Sequence, residues 1–354
     1  MEIKFTKASQ LKEKPDFNKL GFGKYVTDYM FVMDYDHEQG WHDPQIVPYD
    51  EFMMDPRCVT LHYGLETFEG MKAYRTADDR IQLFRPEMNA KRMIKSNERL
   101  CLAEVPEDMF VEAVKALVAI EKDWVPNLPE TSLYIRPVTY ASECSIGVHP
   151  PKSCRFYVIL SPVGCYYPEG VNPVKIYVEE EYVRAVIGGT GFCKCGGNYA
   201  ASVKAQEKAQ KMGYTQVLWL DGVHREYVEE VGTMNVMFKI DGKVVTPPLE
   251  GSVLPGITRD SIIHVLKDWG YEVEERRLSI NELMEAARTG HLEEAWGTGT
   301  AAVISPIGEL NYRGEIVTVS DFKTGELTQK LYDFLTGIQW GKIEDPYGWT
   351  VEVK

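Results

Sequence analysis

The chain lacks any run of apolar residues long enough to cross a membrane. A spanning helix needs about 18 or more consecutive apolar side chains, and no segment approaches that length. The first residues, MEIKFTKASQ, contain no apolar core typical of a secretory signal. Low-complexity segments and internal repeats are also absent. We therefore expect a globular protein of the cytoplasm.

Metal ions and nucleic acids are poor candidates for the main ligand. The seven cysteines are scattered, and neither a Cys-x-x-Cys pair nor a Cys/His cluster has zinc-binding spacing, so we expect no metal site. Acidic residues outnumber basic ones by 53 to 39, which gives a net charge of −14. Such a charge argues against a nucleic acid or an anionic membrane as the main partner.

Known catalytic signatures are missing as well. A Walker loop, a serine triad signature and H-E-x-x-H do not occur. GTGTAA matches the G-x-G-x-x-A pattern of dinucleotide-binding folds, but VISP follows it where that fold requires a helix.

Apolar periodicity predicts a mixed α/β chain, and 354 residues suggest about two domains. PEDMFVEAVKALVAIEKDWV has helical spacing, with Phe110, Val111, Val114, Leu117 and Val118 on one face, whereas TSLYIRPVTYA and RFYVILSPV are typical of strands. Proline and glycine cluster between these strands and the second half. We predict a small N-terminal domain (1–162), a linker (163–174) and a larger C-terminal domain (175–354), with a ligand cleft between the domains.

Two helix ends carry local signals in the second half. Gly270 follows ITRDSIIHVLKDW and is predicted to end that helix. Ser279 and Glu282 have the spacing of a capping box at the start of the next helix.

Three segments have features of a phosphate site. LPGITRDS places the amides of Ile257 and Thr258 at a helix start, where the helix dipole favours an anion. WGTGTAAV (296–303) alternates glycine with threonine, and FRPEMNAKRM (84–93) places two arginines around a helix start. Each segment alone is a weak signal, since capped helices and glycine turns are common.

One lysine stands out because of its surroundings. GGTGFCKCGGNYAAS (188–202) places Lys194 among five glycines, which suggests a close approach of the backbone to a ligand. The alternative is a glycine-rich surface loop with a solvated lysine. Pyridoxal phosphate needs a Schiff-base lysine, a phosphate site, an acid at the ring nitrogen and a donor to the ring hydroxyl. The chain contains candidates for all four.

Colinear motifs from about residue 20 to 345 resemble the branched-chain amino-acid aminotransferases, which are fold-type IV pyridoxal-phosphate enzymes. The motifs are GFGKYVTDYMFVMDY, LHYGLETFEGMKAYR, LFRPEMNAKRM, SLYIRPV, GGTGFCKCGGNYA, EEVGTMNVMF, LPGITRDS and GTGTAAV. The resemblance displaces the surface-loop interpretation of Lys194. It implies the fold-type IV architecture, with the two domains around a cofactor cleft.

The resemblance also implies roles for individual residues of the cofactor site. Lys194 matches the Schiff-base lysine, Glu230 the partner of the pyridine nitrogen, and Tyr199 the tyrosine that bonds the ring hydroxyl. The implied phosphate-binding set is Arg92, the amides of Ile257 and Thr258, and Thr300.

A substrate pocket is implied in the same way. Tyr134 and Arg136 match the pair that recognises the substrate, and the backbone at Thr300 and Ala301 matches the α-carboxylate site. The implied pocket walls are Phe22, Tyr63, Phe68 and Tyr166. Aromatic walls suit leucine, isoleucine or valine, whereas Arg136 suits the carboxylate of glutamate.

The activity implied is transamination between branched-chain L-amino acids and 2-oxoglutarate, with ping-pong kinetics and a homodimeric enzyme. A D-amino-acid aminotransferase or aminodeoxychorismate lyase is an alternative, although those families resemble the chain mainly around Lys194. Another class of alternative is a non-catalytic phosphate-ligand-binding protein, or a thiol redox protein using Cys193 and Cys195. In an extended segment both cysteines point away from Lys194, so we expect buried, inert thiols.

Overall fold

The computed structural model describes residues 1–164 and 171–354, and these form two compact units. Unit 1 contains residues 1–164, Cys193–Gly196 and Gly337–Lys354. Unit 2 contains residues 171–192 and Gly197–Thr336. The predicted mixed α/β class is confirmed, because each unit combines a large sheet with helices. Within the described residues, no helix is long and apolar enough to span a membrane.

Unit 1 is built on a sheet of nine strands among its described residues. In spatial order, eight of them are β1 (Lys4–Phe5), β3 (Gly40–Pro48), β2 (Tyr29–Asp36), β8 (Ser153–Val163), β7 (Ser132–Ala141), β5 (Met71–Arg75), β6 (Ile81–Phe84) and β18 (Thr350–Val353). The ninth, β4 (Glu66–Phe68), pairs with β7 outside this order. Neighbouring strands are antiparallel except β1 and β3, which are parallel.

Among the described residues, the sheet is accompanied by the α-helices α1 (Val59–Tyr63), α2 (Pro86–Arg99) and α3 (Glu107–Ile120) and by a short 3-10 helix (Lys122–Trp124). Strand alternation directs Leu133 and Ile135 of β7 into the core, where Phe110 and Leu117 of α3 also lie. The helical stripe predicted from the sequence is confirmed, since Phe110, Val114, Leu117 and Val118 are buried and Val111 packs against them. The other face of β7 therefore carries the side chains in between, among them Tyr134 and Arg136.

Unit 2 has a second sheet, again of nine strands among the described residues. Eight of them, in spatial order, are β11 (Val228–Val231), β10 (Gln216–Leu220), β9 (Val174–Glu179), β16 (Val303–Tyr312), β15 (Leu292–Gly299), β12 (Asn235–Ile240), β13 (Lys243–Thr246) and β14 (Val273–Glu275). The remaining strand, β17 (Glu315–Thr318), pairs with β16. The later helices are α4 (Gly196–Lys211), α5 (Ile257–Asp268), α6 (Ile280–Thr289) and α7 (Glu326–Gln339).

Both predicted helix-end signals in unit 2 are present, although the capping box makes only one of its two contacts. Gly270 follows α5 with φ of 82°, a left-handed conformation that glycine adopts at little cost. Ser279 Oγ accepts from the amide of Glu282 at 3.1 Å, as a capping box requires. The Glu282 carboxylate, however, bonds Arg276 at 2.7 Å, so an ion pair takes the place of the second box contact.

The two units differ from the predicted domain limits at two places. Strand β18 pairs with β6, so Gly337–Lys354 groups with unit 1, whereas the sequence analysis assigned it to the C-terminal domain. Cys193–Gly196 also groups with unit 1. Both differences arise from pairing between distant segments, which local composition does not record. Part of the predicted linker 163–174 lies outside the described residues.

We predict that Phe110→Ala lowers the free energy of unfolding by about 3–5 kcal/mol, because truncation of a buried phenylalanine leaves a cavity. Phe110 is 0% exposed in the core of unit 1, whereas Ile120 on the same helix is 39% exposed. The control Ile120→Ala should lose only about 1 kcal/mol. Urea denaturation followed by circular dichroism measures both values. Equal losses in the two variants would show that α3 does not bury the predicted face.

Candidate active site

Lys194 lies in a short segment of unit 1 that pairs with β4. The amide of Phe68 donates to the Lys194 carbonyl at 2.9 Å, and Thr67 forms an antiparallel bridge with Cys195. The amide of Lys194 donates to Ser96 Oγ on α2 at 3.0 Å. Lys194 Nζ lies 4.9 Å from the centroid of the Phe68 ring. Two elements thus fix the lysine backbone, and its amine lies against an aromatic surface.

Gly196, one of the glycines beside Lys194, lies against the side chain of Glu66. An added Cβ at this position would lie 1.8 Å from Glu66 Oε1, so only glycine permits the observed approach. The Glu66 carboxylate accepts a hydrogen bond from the Gly196 amide. Burial raises the pKa of Glu66, while that hydrogen bond and the charge of Arg136 oppose the shift. Glu66 was not among the residues singled out from the sequence.

The predicted substrate-recognition pair lies beside the same ring. The guanidinium carbon of Arg136 is 4.8 Å from the Phe68 centroid and 5.2 Å from that of Tyr134. Arg136 Nη2 donates to the Tyr134 hydroxyl at 3.1 Å, and the Phe22 ring packs edge-on against Tyr134 at 5.0 Å. Buried Arg136 Nε has no hydrogen-bond partner among the described residues. The structure therefore places Phe22, Phe68, Tyr134 and Arg136 together with Lys194.

A cleft of about 350 Å³ opens on this face of the unit 1 sheet. Its lining includes the apolar and aromatic side chains of Phe52, Leu61, Phe68, Val138, Tyr140 and Tyr157. Glu66 and Arg136 are its charged lining residues within the described part of the chain. An apolar cleft with few charged groups is suited to a small amphipathic ligand.

Two further residues, Tyr63 and Tyr166, were predicted for the pocket walls. The Tyr63 hydroxyl donates to the Ile146 carbonyl, and Tyr63 does not line the cleft. Tyr166 lies outside the described residues.

Arg92, the predicted phosphate arginine, is buried on α2 and paired with an acid. Arg92 Nε and Nη2 each donate to a Glu69 oxygen at 2.8 Å. Asn89 Nδ2 also donates to Glu69 Oε2, at 2.7 Å. These bonds fix the plane of the guanidinium. Glu69 was not among the residues singled out from the sequence, although an acid between buried strand residues indicates a buried ion pair.

Glu230 in unit 2 is also held by several donors. Arg184 Nε lies 2.8 Å from Glu230 Oε2, and the amide of Leu254 donates to Oε1 at 2.7 Å. Asn235 Nδ2 contributes a longer bond of 3.4 Å to Oε1. The adjacent acid, Glu229, instead accepts from Ser252 Oγ. Glu230 and Tyr199 line one small cavity, together with Arg184, Asn198, Thr233 and Leu254.

The predicted phosphate amides and threonines lie around Asn235. Ile257 and Thr258 are the first residues of α5, and Gly256 precedes them with no side-chain cap. A Cβ on Gly256 would lie 1.9 Å from Asn235 Oδ1. Asn235 is paired with Thr298 across β12 and β15, and Thr300 and Ala301 form the turn after β15.

Comparison with known proteins agrees with this arrangement. The model of the class IV aminotransferase family matches residues 66–310. Branched-chain-amino-acid aminotransferase 2 of Bacillus subtilis is 54% identical over 351 residues, covering 99% of this chain and 97% of the relative. A probable branched-chain-amino-acid aminotransferase of Staphylococcus epidermidis is 55% identical over 353 residues, with 99% and 98% covered.

The chain belongs to the branched-chain amino-acid aminotransferases of class IV. Solved structures confirm the predicted fold-type IV architecture. The Escherichia coli branched-chain aminotransferase superimposes with a TM-score of 0.76 and 28% identity, covering 92% of this chain and 99% of the other. The T.th. branched-chain aminotransferase with pyridoxamine 5'-phosphate gives 0.76 and 27%, covering 95% and 99%. The prediction of an aminotransferase is thereby confirmed.

Membership in the aminotransferase family implies pyridoxal phosphate as cofactor, and both units contain groups that fit it. In unit 2, the uncapped start of α5 presents amides at the positive end of the helix dipole. The hydroxyl of Thr298 is buried without a hydrogen-bond partner among the described residues. Buried polar groups are nearly always bonded, so this hydroxyl fits a site that binds a polar ligand. In unit 1, the Lys194 amine is the kind of group that reacts with an aldehyde carbonyl, and the Arg92 guanidinium is the kind of group that binds a phosphate.

The supporting residues of this aminotransferase were missed by the sequence analysis. Glu69, Arg184 and Asn235 orient Arg92 and Glu230, and each contacts a residue far away in the sequence or in another element. Asn235 carries a signal of its own, since it lies in the EEVGTMN motif quoted for the resemblance. Arg184 lies in no quoted motif, so no local pattern marks it.

The thiols beside the lysine are buried, as expected. Cys193 is 1% exposed and Cys195 is 3% exposed. Burial raises the pKa of the Cys193 thiol to about 11, so at neutral pH it carries little of the thiolate that reacts. Neither cysteine forms a disulfide with another described residue. These observations favour packing over redox chemistry at this position.

We predict that a thiol reagent such as iodoacetamide leaves Cys193 and Cys195 unmodified in the folded aminotransferase. Cys101 and Cys144, which are exposed and free, serve as internal controls and should react fully. Mass spectrometry of tryptic peptides distinguishes the four sites, and labelling in guanidinium chloride should modify all of them. Rapid labelling of Cys193 in the folded protein would contradict its burial.

Proposed function

We propose that the protein transfers amino groups between L-leucine, L-isoleucine or L-valine and 2-oxoglutarate by a ping-pong mechanism. One observation in unit 1 carries the proposal: Lys194 Nζ and the Arg136 guanidinium lie 4.9 and 4.8 Å from the same Phe68 ring. A nucleophilic amine thus lies next to a cation that recognises carboxylates, on an apolar surface. The family of the chain supports the reaction type.

Each residue proposed for the cofactor would have a distinct task. Lys194 would bind its aldehyde carbon covalently, and Arg92, oriented by Glu69, would donate a hydrogen bond to its phosphate. The amides of Ile257 and Thr258 and the hydroxyl of Thr300 would donate to the same phosphate. Glu230 would pair with the ring nitrogen. The hydroxyl of Tyr199, which shares a cavity with Glu230, would bond the ring oxygen.

When bound, pyridoxal phosphate supplies an electron sink for the charge that develops at the substrate Cα. Lys194 Nζ acts as the base that removes the Cα proton. Ser96 and Phe68 keep the lysine backbone still, so the amine reaches the proton with little loss of entropy. Glu230, held by Arg184 and Leu254, presents a fixed negative charge to a protonated ring nitrogen.

The unit 1 cleft suits both kinds of substrate that the reaction requires. Leu61, Val138 and Tyr157 offer apolar surface to a branched hydrocarbon side chain. Arg136 offers a guanidinium with a buried, unbonded Nε to the second carboxylate of glutamate. The backbone at Thr300 and Ala301 is proposed for the α-carboxylate. A D-amino-acid substrate or a lyase reaction has less support, because the relatives are branched-chain aminotransferases.

A homodimer is part of the proposal. Three large apolar side chains of unit 1 are strongly exposed, namely Met53, Ile146 and Val148. A partner chain that covered these side chains would remove their apolar surface from water. The cytoplasmic location expected from the sequence stays a prediction.

Borohydride reduction of the purified protein tests the central assignment. Reduction should fix the cofactor to one lysine, and peptide mapping should identify that lysine as Lys194. Lys194→Ala should lose nearly all turnover of L-leucine with 2-oxoglutarate, because Lys194 is the base that removes the Cα proton in the proposed mechanism. Lys204→Ala, which removes an exposed lysine of α4, should keep full turnover. A label on another lysine would refute the assignment.

Glu230→Gln should slow the half-reaction with L-leucine about a hundredfold, since an amide has no charge to hold a protonated ring nitrogen. The matched control is Glu229→Gln. The neighbouring side chain on β11 bonds Ser252 and does not line the cavity of Tyr199 and Glu230. Its effect should stay within about threefold, because alternate strand residues face opposite sides. Stopped-flow absorbance measures both rates, and a reversed ranking would assign the ring nitrogen to Glu229.

A further inference from the structure

Glu66 is the acidic residue of the unit 1 cleft, and the reaction described above assigns it no task. It pairs with Tyr140 across β4 and β7, which places its side chain on the face that carries Phe68 and Arg136. Its carboxylate accepts from the Gly196 amide, and no cation lies within salt-bridge distance of it among the described residues. An acid therefore lies in the cleft expected to admit a substrate.

Glu66 and Arg136 line the same cleft, and their opposite charges interact. The positive charge of Arg136 lowers the pKa of Glu66 against the larger effect of burial. Both charges also act on Tyr157, whose pKa is raised by burial to about 12. In a cleft of low polarity such charges interact more strongly than in water. The guanidinium therefore has a compensating negative charge nearby before any substrate arrives.

This compensation has opposite consequences for the two substrate classes. A hydrocarbon side chain brings no charge, so the Glu66 carboxylate partly offsets the charge of the half-buried Arg136 in the same cleft. A glutamate side chain brings a second carboxylate, which Arg136 attracts and Glu66 repels. The same acid thus favours leucine and disfavours glutamate.

We propose that Glu66 is a specificity-determining residue, whose carboxylate beside Arg136 favours branched hydrocarbon side chains over the acidic side chain of glutamate. The proposal rests on the transamination proposed above and deepens it. Protonation of Glu66 relaxes the discrimination, because the neutral acid no longer repels the substrate carboxylate.

Two variants separate the charge of Glu66 from its hydrogen bond. Glu66→Gln keeps an oxygen to accept from the Gly196 amide but removes the charge. Glu66→Asp keeps the charge but, being shorter by one methylene, weakens the Gly196 contact. The quantity measured is the ratio of kcat/KM for L-glutamate to that for L-leucine, from single half-reactions of the holoenzyme at pH 8. A ratio cancels any change that affects both substrates alike.

Glu66→Gln should raise this ratio about tenfold, mainly through a lower KM for L-glutamate, whereas Glu66→Asp should leave it within about twofold. Glu38→Gln, which removes an exposed negative charge from unit 1, should also leave it unchanged. A ratio unaltered by Glu66→Gln, or altered equally by Glu66→Asp, would overturn the proposal. If the unmodified holoenzyme converts neither substrate, the proposed transamination fails instead.

The pH dependence provides a second readout. The pKa of Glu66 is raised by burial, so lowering the pH from 8 to about 5.5 neutralises a growing share of it and should raise the ratio. The charged and titratable groups around it are Arg136, Lys194, Tyr140 and Tyr157. Burial raises the pKa of both tyrosines, so they stay neutral over this range, and Lys194 acts on both substrates alike. Glu66→Gln should give a flat ratio; a variant profile parallel to that of the unmodified enzyme would contradict the assignment.

Discussion

The position of the Lys194 amine depends on the pairing of three residues of β4 with the Cys193–Gly196 segment. Two backbone contacts and the Glu66 carboxylate hold that segment, and a side chain at Gly196 would prevent the approach. Strand β4 is held in turn by β7, in the middle of the unit 1 sheet. Backbone pairing therefore connects the Lys194 segment to β4, and β4 to β7, whose inward side chains lie in the hydrophobic core.

The register of β7 divides the core from the cleft. Leu133 and Ile135 are buried against α3, while Tyr134 and Arg136 lie on the opposite face. A shift of one residue would exchange these sets and bury the arginine in the core. Burial of a charged side chain is unfavourable, so the shifted pairing of β7 is disfavoured. The residues that stabilise unit 1 therefore also keep Tyr134 and Arg136 on the cleft face. Stability and function are coupled here by strand alternation.

The sequence predicts features that depend on neighbouring residues. The apolar stripe of α3 and the Ser279 cap both follow from local spacing, and the structure contains both. The partners of charged groups do not follow from spacing. Glu69 meets Arg92 across 23 residues, and Arg184 reaches Glu230 from a segment with no motif. Such pairs are fixed by the tertiary fold, and a single sequence holds no record of which charges meet.

Two adjacent acids show that even neighbouring charged residues can have partners that the sequence does not predict. Glu229 and Glu230 are indistinguishable by residue type, yet one bonds Ser252 and the other bonds Arg184. Buried Arg92 and Glu230 are each compensated by a bonded partner of opposite charge, which offsets the cost of desolvation. Arg136 has no bonded carboxylate among the described residues, and its Nε is unsatisfied. The bonded partners therefore fix the orientations of Arg92 and Glu230, whereas Arg136 keeps an unsatisfied Nε in the cleft, where the proposed substrate carboxylate would bind.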